Sequence, residues 1–170
     1  MPALSELPPS AHLALRPIHP PLAPEAAAAL VQAIDKLFAQ FIREDRISTH
    51  AVEVLANGAV LAVAFVDGTP LSGCSHDKLG QILATHETRS GCKILDAPPI
   101  MVEVDGRPTC VDRVGLKALV AANRVDANSI HWDLGADSVG AWRDNGRRPA
   151  RDTWLAPLIE RFLVARAARP

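Results

Sequence analysis

Apolar residues recur at helical spacing across residues 25–44, where Leu30, Ile34, Leu37, Phe38, Phe41 and Ile42 share a face. Pro24 suits the first turn, so a helix is predicted there. Ahead of it, prolines cluster between Pro8 and Pro24 and imply an extended segment, within which residues 12–18 alternate well enough to be a strand. Ordered packing is expected to begin after that segment. Residues 51–55 and 59–66 are β-rich runs joined by Asn57-Gly58, a pair that favours a two-residue type I′ turn and hence an antiparallel hairpin. A second helix is predicted over residues 75–89, with Leu79, Ile82, Leu83 and His86 on one face and Ser90-Gly91 as its stop.

Farther on, residues 100–104 and 109–111 flank Asp105-Gly106 and predict another hairpin. Asp112 can cap a short helix over residues 113–122, and residues 129–134 read as a strand. Asp152 opens a C-terminal helix carrying Leu155, Leu158, Ile159, Phe162 and Leu163, with Pro157 delaying or kinking its start. Between these lie Trp142, Arg143, Arg147, Arg148, Arg151 and Trp154, basic residues with aromatics at the ends. Such a composition can meet phosphate or an acidic partner. Asp144 and Asp152 dilute it, and the reading is a solvated loop packed by two tryptophans.

Strand, helix, strand, strand, helix, strand is the order of a ferredoxin-like antiparallel sheet with helices on one face. The expected fold is therefore α+β, with a C-terminal hairpin and helix as an extension. The expected organisation is a Pro-rich opening segment, residues 1–24, and a single α+β domain, residues 25–170.

Composition narrows the function. The 170 residues are 48% hydrophobic and 22% charged, with 18 Lys and Arg against 19 Asp and Glu. That is enough apolar surface for a core, and the net charge of -1 argues against nucleic acid or an anionic membrane as partner. No apolar run reaches the length of a membrane span, so membrane insertion is not expected. Cys74, Cys92 and Cys110 are an odd number without a CxxC pair, which fits neither a disulfide framework nor a zinc finger. They read as cytosolic thiols, and with no basic and apolar leader in residues 1–12 a cytoplasmic location is expected. Cys74, His76, His86, Cys92 and Cys110 lack the spacing of a metal site, so no metal or other cofactor is expected.

Residues 68–75 read G-T-P-L-S-G-C-S between an apolar strand and a helix, matching the phosphate-loop pattern except that Cys74 stands where lysine should. Without that ammonium, a phosphoryl-transfer site lacks its main electrostatic element. The preceding strand also belongs to a hairpin, not to the crossover units of a parallel sheet. Leu71-Ser72-Gly73-Cys74-Ser75 resembles the L-S-G-G-Q signature of ABC-transporter ATPases, and Ile94-Leu95-Asp96-Ala97-Pro98 resembles their L-L-D-E-P segment. Ala97 replaces the catalytic glutamate, and no G-K-[ST] lies upstream. Over most of its length the chain resembles a family of small bacterial proteins often labelled "ABC transporter ATPase". Ser72-Gly73-Cys74-Ser75-His76-Asp77 matches their S-G-C-S-[IH]-D motif, and Trp154 matches the tryptophan of their terminal helix. The resemblance implies no particular activity.

The motif places Cys74 at or just before a helix N-terminus, where free N–H groups and the helix dipole favour a thiolate. Those N–H groups, with Ser72, Gly73, Ser75 and Asp77, can instead cradle an external anion. His76 is a candidate base for Cys74, although Asp77, its chain neighbour, points elsewhere on the helix. In the plainest reading, Ser caps the helix, Gly permits the turn, Cys fills a gap and Asp favours the first turn. His131 and Asp133 form a further pair on one strand face, with Trp132 opposite. The expected function is a non-catalytic binding or interaction module with its anion contact at residues 72–77, serving a small anionic ligand or a protein partner. The alternative is a thiol-dependent enzyme using Cys74 and His76. Purified protein should neither bind nor hydrolyse ATP; metal-dependent turnover that disappears in Ser75→Ala would contradict this.

Overall fold

The structure, a computed structural model, describes residues 1–67, 73–94 and 100–167. Its first half runs β1 (His12–His19), α1 (Pro24–Arg43), β2 (Ile47–Leu55), β3 (Val60–Asp67), α2 (Gly73–Ser90) and β4 (Lys93–Ile94). The strands form one sheet in the order β2-β3-β1-β4, each neighbour antiparallel. Strands β1 and β2 thus flank β3, and α1 has to cross over a face of the sheet to connect them. Alternation along the strands separates two faces. Val52, Leu61 and Val63 meet Leu30, Ile34, Leu37, Phe38 and Phe41 of α1 and Leu83 of α2. Leu13, Leu15, Ala51, Ala62 and Ala64 face the other way.

What covers that second face is another sheet. The second half runs β5 (Ile100–Val104), β6 (Arg107–Val111), α3 (Arg113–Ala121), β7 (Ile130–Trp132), α4 (Val139–Asn145), β8 (Arg147–Pro149) and α5 (Ala156–Ala167). Its strands pair antiparallel in the order β6-β5-β7-β8. Met101 and Trp132 pack against the alanine-rich face of the first sheet, large side chains opposite small ones. Val102 and Val104 point outward to Leu116 and Val120 of α3 and to Leu155, Ile159 and Phe162 of α5 or its approach. The fold is α+β in four layers: α1 and α2, the first sheet, the second sheet, then α3 and α5. Asp112 Oδ1 caps α3 by accepting from the Gly115 N–H at 2.7 Å, and Ser138 Oγ caps α4 from Ala141 at 3.2 Å.

Several expectations are corrected. Packing begins well before Pro24: Leu4, Leu7 and Ala11 are buried, and β1 lies between β3 and β4. The C-terminal hairpin and helix are part of a second sheet, because β7 pairs with β5 at Val102 and His131 and brings β8 with it. The arginine-rich stretch read as a solvated loop is α4 and β8. The last helix has the late start expected from Pro157: it begins at Ala156, so the proline's missing N–H falls in the first turn, where it is harmless. Helix α2 starts at Gly73, earlier than Ser75.

The β2–β3 hairpin is antiparallel, with Ala51 opposite Ala64, but Asn57-Gly58 is not a two-residue turn. Leu55 pairs with Val60, and Ala56, Asn57 and Gly58 all take positive φ, at 55°, 53° and 94°. The wider loop lets the Gly58 carbonyl accept from the Leu22 N–H at 3.0 Å. A Cβ on Gly58 would lie 2.2 Å from the Leu22 carbonyl oxygen. Gly58→Ala should therefore destabilise the fold by about 3 kcal/mol in urea denaturation, combining a disfavoured backbone angle with a backbone clash. Gly80→Ala is the control: a Cβ there meets nothing within 4 Å, and the substitution should stabilise α2 by about 1 kcal/mol.

Candidate functional site

Helix α2 carries an inward stripe of Leu79, Ile82, Leu83 and His86, and Ser75 extends it by one turn toward the N-terminus. This explains why a serine in the motif is only 2% exposed, while Gly73, His76 and Asp77 are exposed. Arg46 reaches the same turn from the α1–β2 connection. Its Nη1 donates to Ser75 Oγ at 2.8 Å, its Nε pairs with Glu44 at 2.8 Å, and its guanidinium lies 5.6 Å from the centre of the Phe41 ring. The first turn of α2, whose leading N–H groups have no partner within the helix, thus meets a cation through a buried hydroxyl.

Beneath that turn is a cavity of about 100 Å³, bounded by Arg16 of β1, Phe38 and Phe41 of α1, Phe65 of β3, and Ser75 and His76. Its walls are mainly hydrocarbon, with Arg16, Ser75 and His76 as the polar members. Arg16, His76 and Leu79 also border a second cavity of about 300 Å³ that runs along α2 to Glu87 and Ile94. Ser75 and His76 are therefore brought together on one cavity, whereas Asp77 and Gly73 line neither. Ser72, together with residues 68–71 of the phosphate-loop look-alike and residues 95–98 of the L-L-D-E-P look-alike, lies outside the described residues, as does the Cys74 side chain. Position 74 falls in the first turn of α2, two residues from His76 and so about 200° around the helix axis. Strand β3, which leads into this region, is antiparallel to both its neighbours, unlike the strand before a nucleotide-binding phosphate loop.

Arg16 and Arg46 were not singled out by the sequence reading. Arg16 had a signal, since it alternates with Leu13 and Leu15 and so falls on the helix-facing side of β1. Arg46 had none, being one of the charged residues of a surface turn that reads Arg43-Glu44-Asp45-Arg46.

The remaining candidates are engaged elsewhere. Cys92 is buried and Cys110 partly so, and burial raises both thiols above their ordinary value, with Glu87 adding to the effect at Cys92. Among the described residues no group of three or more His, Cys, Asp or Glu comes together. The arginine-rich stretch binds its own protein. Arg143 Nη2 donates to the carbonyls of Leu4, Ser5 and Leu7 at 3.3, 2.5 and 2.6 Å. Arg147 pairs with Glu103 at 2.7 Å and covers the Trp132 ring at 4.7 Å, and Arg151 pairs with Asn128. No helix among the described residues is long and apolar enough to cross a membrane.

No family model, curated protein or solved structure matches the chain.

His131 and Asp133 do not form a hydrogen-bonded pair: Asp133 Oδ1 accepts from Gly135 at 3.1 Å, and His131 packs edge-on against Trp154 at 5.8 Å. His131 is 4% exposed, and burial lowers its pKa below 6.5, with Arg148 adding to the shift and Asp133 opposing it. Burial likewise lowers His86, aided by Arg89. The unfolded chain takes up these protons near 6.5 and the folded chain only at lower pH, so their contribution is intact above 6.5 and is lost as pH falls below it. The urea midpoint should drop between about pH 7.5 and pH 5.5. His131→Phe should make that drop shallower, and an unchanged slope would show that His131 takes no part.

Proposed function

We propose that this protein is a non-catalytic binding module whose ligand contact is the turn at residues 72–77, in keeping with the S-G-C-S-H-D motif. One observation carries the reading: the cavity of about 100 Å³ under the first turn of α2, where Arg16, Ser75 and His76 meet a phenylalanine-lined wall. Arg46, on Ser75 Oγ, adds positive charge to the leading N–H groups of the helix. Arg16 and His76 offer charge-assisted or neutral donors there to a small anion such as phosphate or a short carboxylate. The near-neutral net charge also makes nucleic acid a poor partner. The odd cysteine count, with buried Cys92 unpaired, favours the cytoplasm.

The test is mild alkylation of the full chain at neutral pH with peptide mapping, in the presence and absence of phosphate or acetate. Cys92 and Cys110 serve as slow internal references because burial raises both thiols. Either anion should slow labelling of Cys74 without changing the references, and Ser75→Ala should weaken the protection. Rapid labelling of Cys74 that ignores added anion would overturn the binding reading in favour of a thiol-dependent enzyme.

A further inference from the structure

On the other face of the first sheet from α2, a cavity of about 470 Å³ opens between the end of β2, α4, β8 and the N-terminal turn Leu4–Glu6. Its size is that of a small-molecule site. Leu55, Val139 and Trp142 supply apolar wall, while Glu53, Arg143 and Arg147 supply charge of both signs. Each of these groups is held in place by the protein. Glu53 Oε1 accepts from the Leu4 N–H at 2.6 Å, Arg143 Nη2 is fixed by three carbonyls, and Arg147 Nη2 is fixed by Glu103 at 2.7 Å. The Trp142 ring lies so close to the Gly146 backbone that a Cβ there would come within 2.2 Å of it.

We propose that this cavity binds a free α-amino acid with an apolar side chain. The bonds just named use one nitrogen of each guanidinium and one oxygen of Glu53, and a guanidinium has five donors and a carboxylate two acceptor oxygens. Glu53 and Glu103 balance Arg143 and Arg147, so the surroundings are neutral overall but carry both signs. A lone anion there faces Glu53, and a lone cation faces two guanidinium groups. A zwitterion satisfies both, its ammonium toward Glu53 and its carboxylate toward Arg143 and Arg147, while its side chain covers Leu55, Val139 and Trp142.

Calorimetric titration of the full chain with L-leucine, L-phenylalanine and L-tryptophan tests the assignment, with 3-phenylpropionate and 2-phenylethylamine as probes lacking one charge. At least one amino acid should bind saturably, and each single-charge probe should bind about tenfold more weakly than L-phenylalanine. Glu53→Gln, which keeps an acceptor for the Leu4 N–H, should weaken L-phenylalanine by about the same factor and leave 3-phenylpropionate unchanged or tighter. Absence of saturable binding by all three amino acids overturns the proposal. So does 3-phenylpropionate binding to the natural chain as tightly as L-phenylalanine, a result that does not depend on the variant folding.

Discussion

Strand β1 is paired along both edges, with β3 on one side and β4 on the other, and it contributes to the packing on both faces. Leu13 and Leu15 meet the second sheet, and Ile18 meets the helical layer. A strand in that position has to satisfy its backbone groups against neighbours distant in sequence while presenting apolar side chains in two directions. The remaining layers depend on it. Its first residues are also tied to the start of α4: the Leu13 N–H donates to the Asp137 carbonyl at 2.9 Å, and the Val139 N–H to that of Ala11 at 3.0 Å.

The contact between the sheets works by a difference in size. Ala51, Ala62 and Ala64 leave room that Met101 and Trp132 fill, and the Trp132 indole N–H, which would otherwise be stranded, donates to Glu103 at 3.1 Å. Glu103 is in turn paired with Arg147, whose guanidinium covers the same indole ring. A polar chain thus closes the edge of an apolar interface. On the opposite face of the first sheet, the inward stripe of α2 ends in Ser75, and the layer finishes in a hydroxyl bonded to Arg46. The cavity under the first turn of α2 and the one beside α4 lie where an apolar layer runs out and charged side chains take over.

Much of the first half was legible from local pattern. The stripe of Leu30, Ile34, Leu37, Phe38 and Phe41 announced α1, because that helix buries one regular face, and the alternation of Leu13 and Leu15 with their neighbours announced β1. The place of β1 between β3 and β4 could be read only from the order of the elements along the chain, since nothing near residue 12 itself records which remote strands will flank it. Helix α4 was hidden for another reason. It has seven residues, carries Gly140, Arg143 and Asp144, and is held by Ser138 and by the backbone of Pro9, whose carbonyl accepts from Gly140 at 2.8 Å. Strand β8 has three residues and exists through pairing with β7 alone. At the candidate site, the i, i+4, i+7 spacing of Ser75, Leu79 and Ile82 held a signal for its burial that the face of Leu79, Ile82, Leu83 and His86 left out, whereas Arg46 reaches it through a tertiary contact that no local motif foreshadows.

The grip of Arg143 on the opening residues spans nearly the whole chain, with sequence separations of 136 to 139 residues. During synthesis the Leu4–Glu6 turn is made well before Arg143, the donor that its carbonyls await. At about 5–20 residues per second, residues 4–7 wait roughly 7 to 28 seconds for that donor. Over that interval β1 can pair with β3 once residue 67 is out, but Leu4 and Leu7 have no finished wall to close against. The first sheet and its helices can thus form early and hold the Leu4 N–H through Glu53, while the carbonyls of residues 4, 5 and 7 are fastened only when Arg143 arrives.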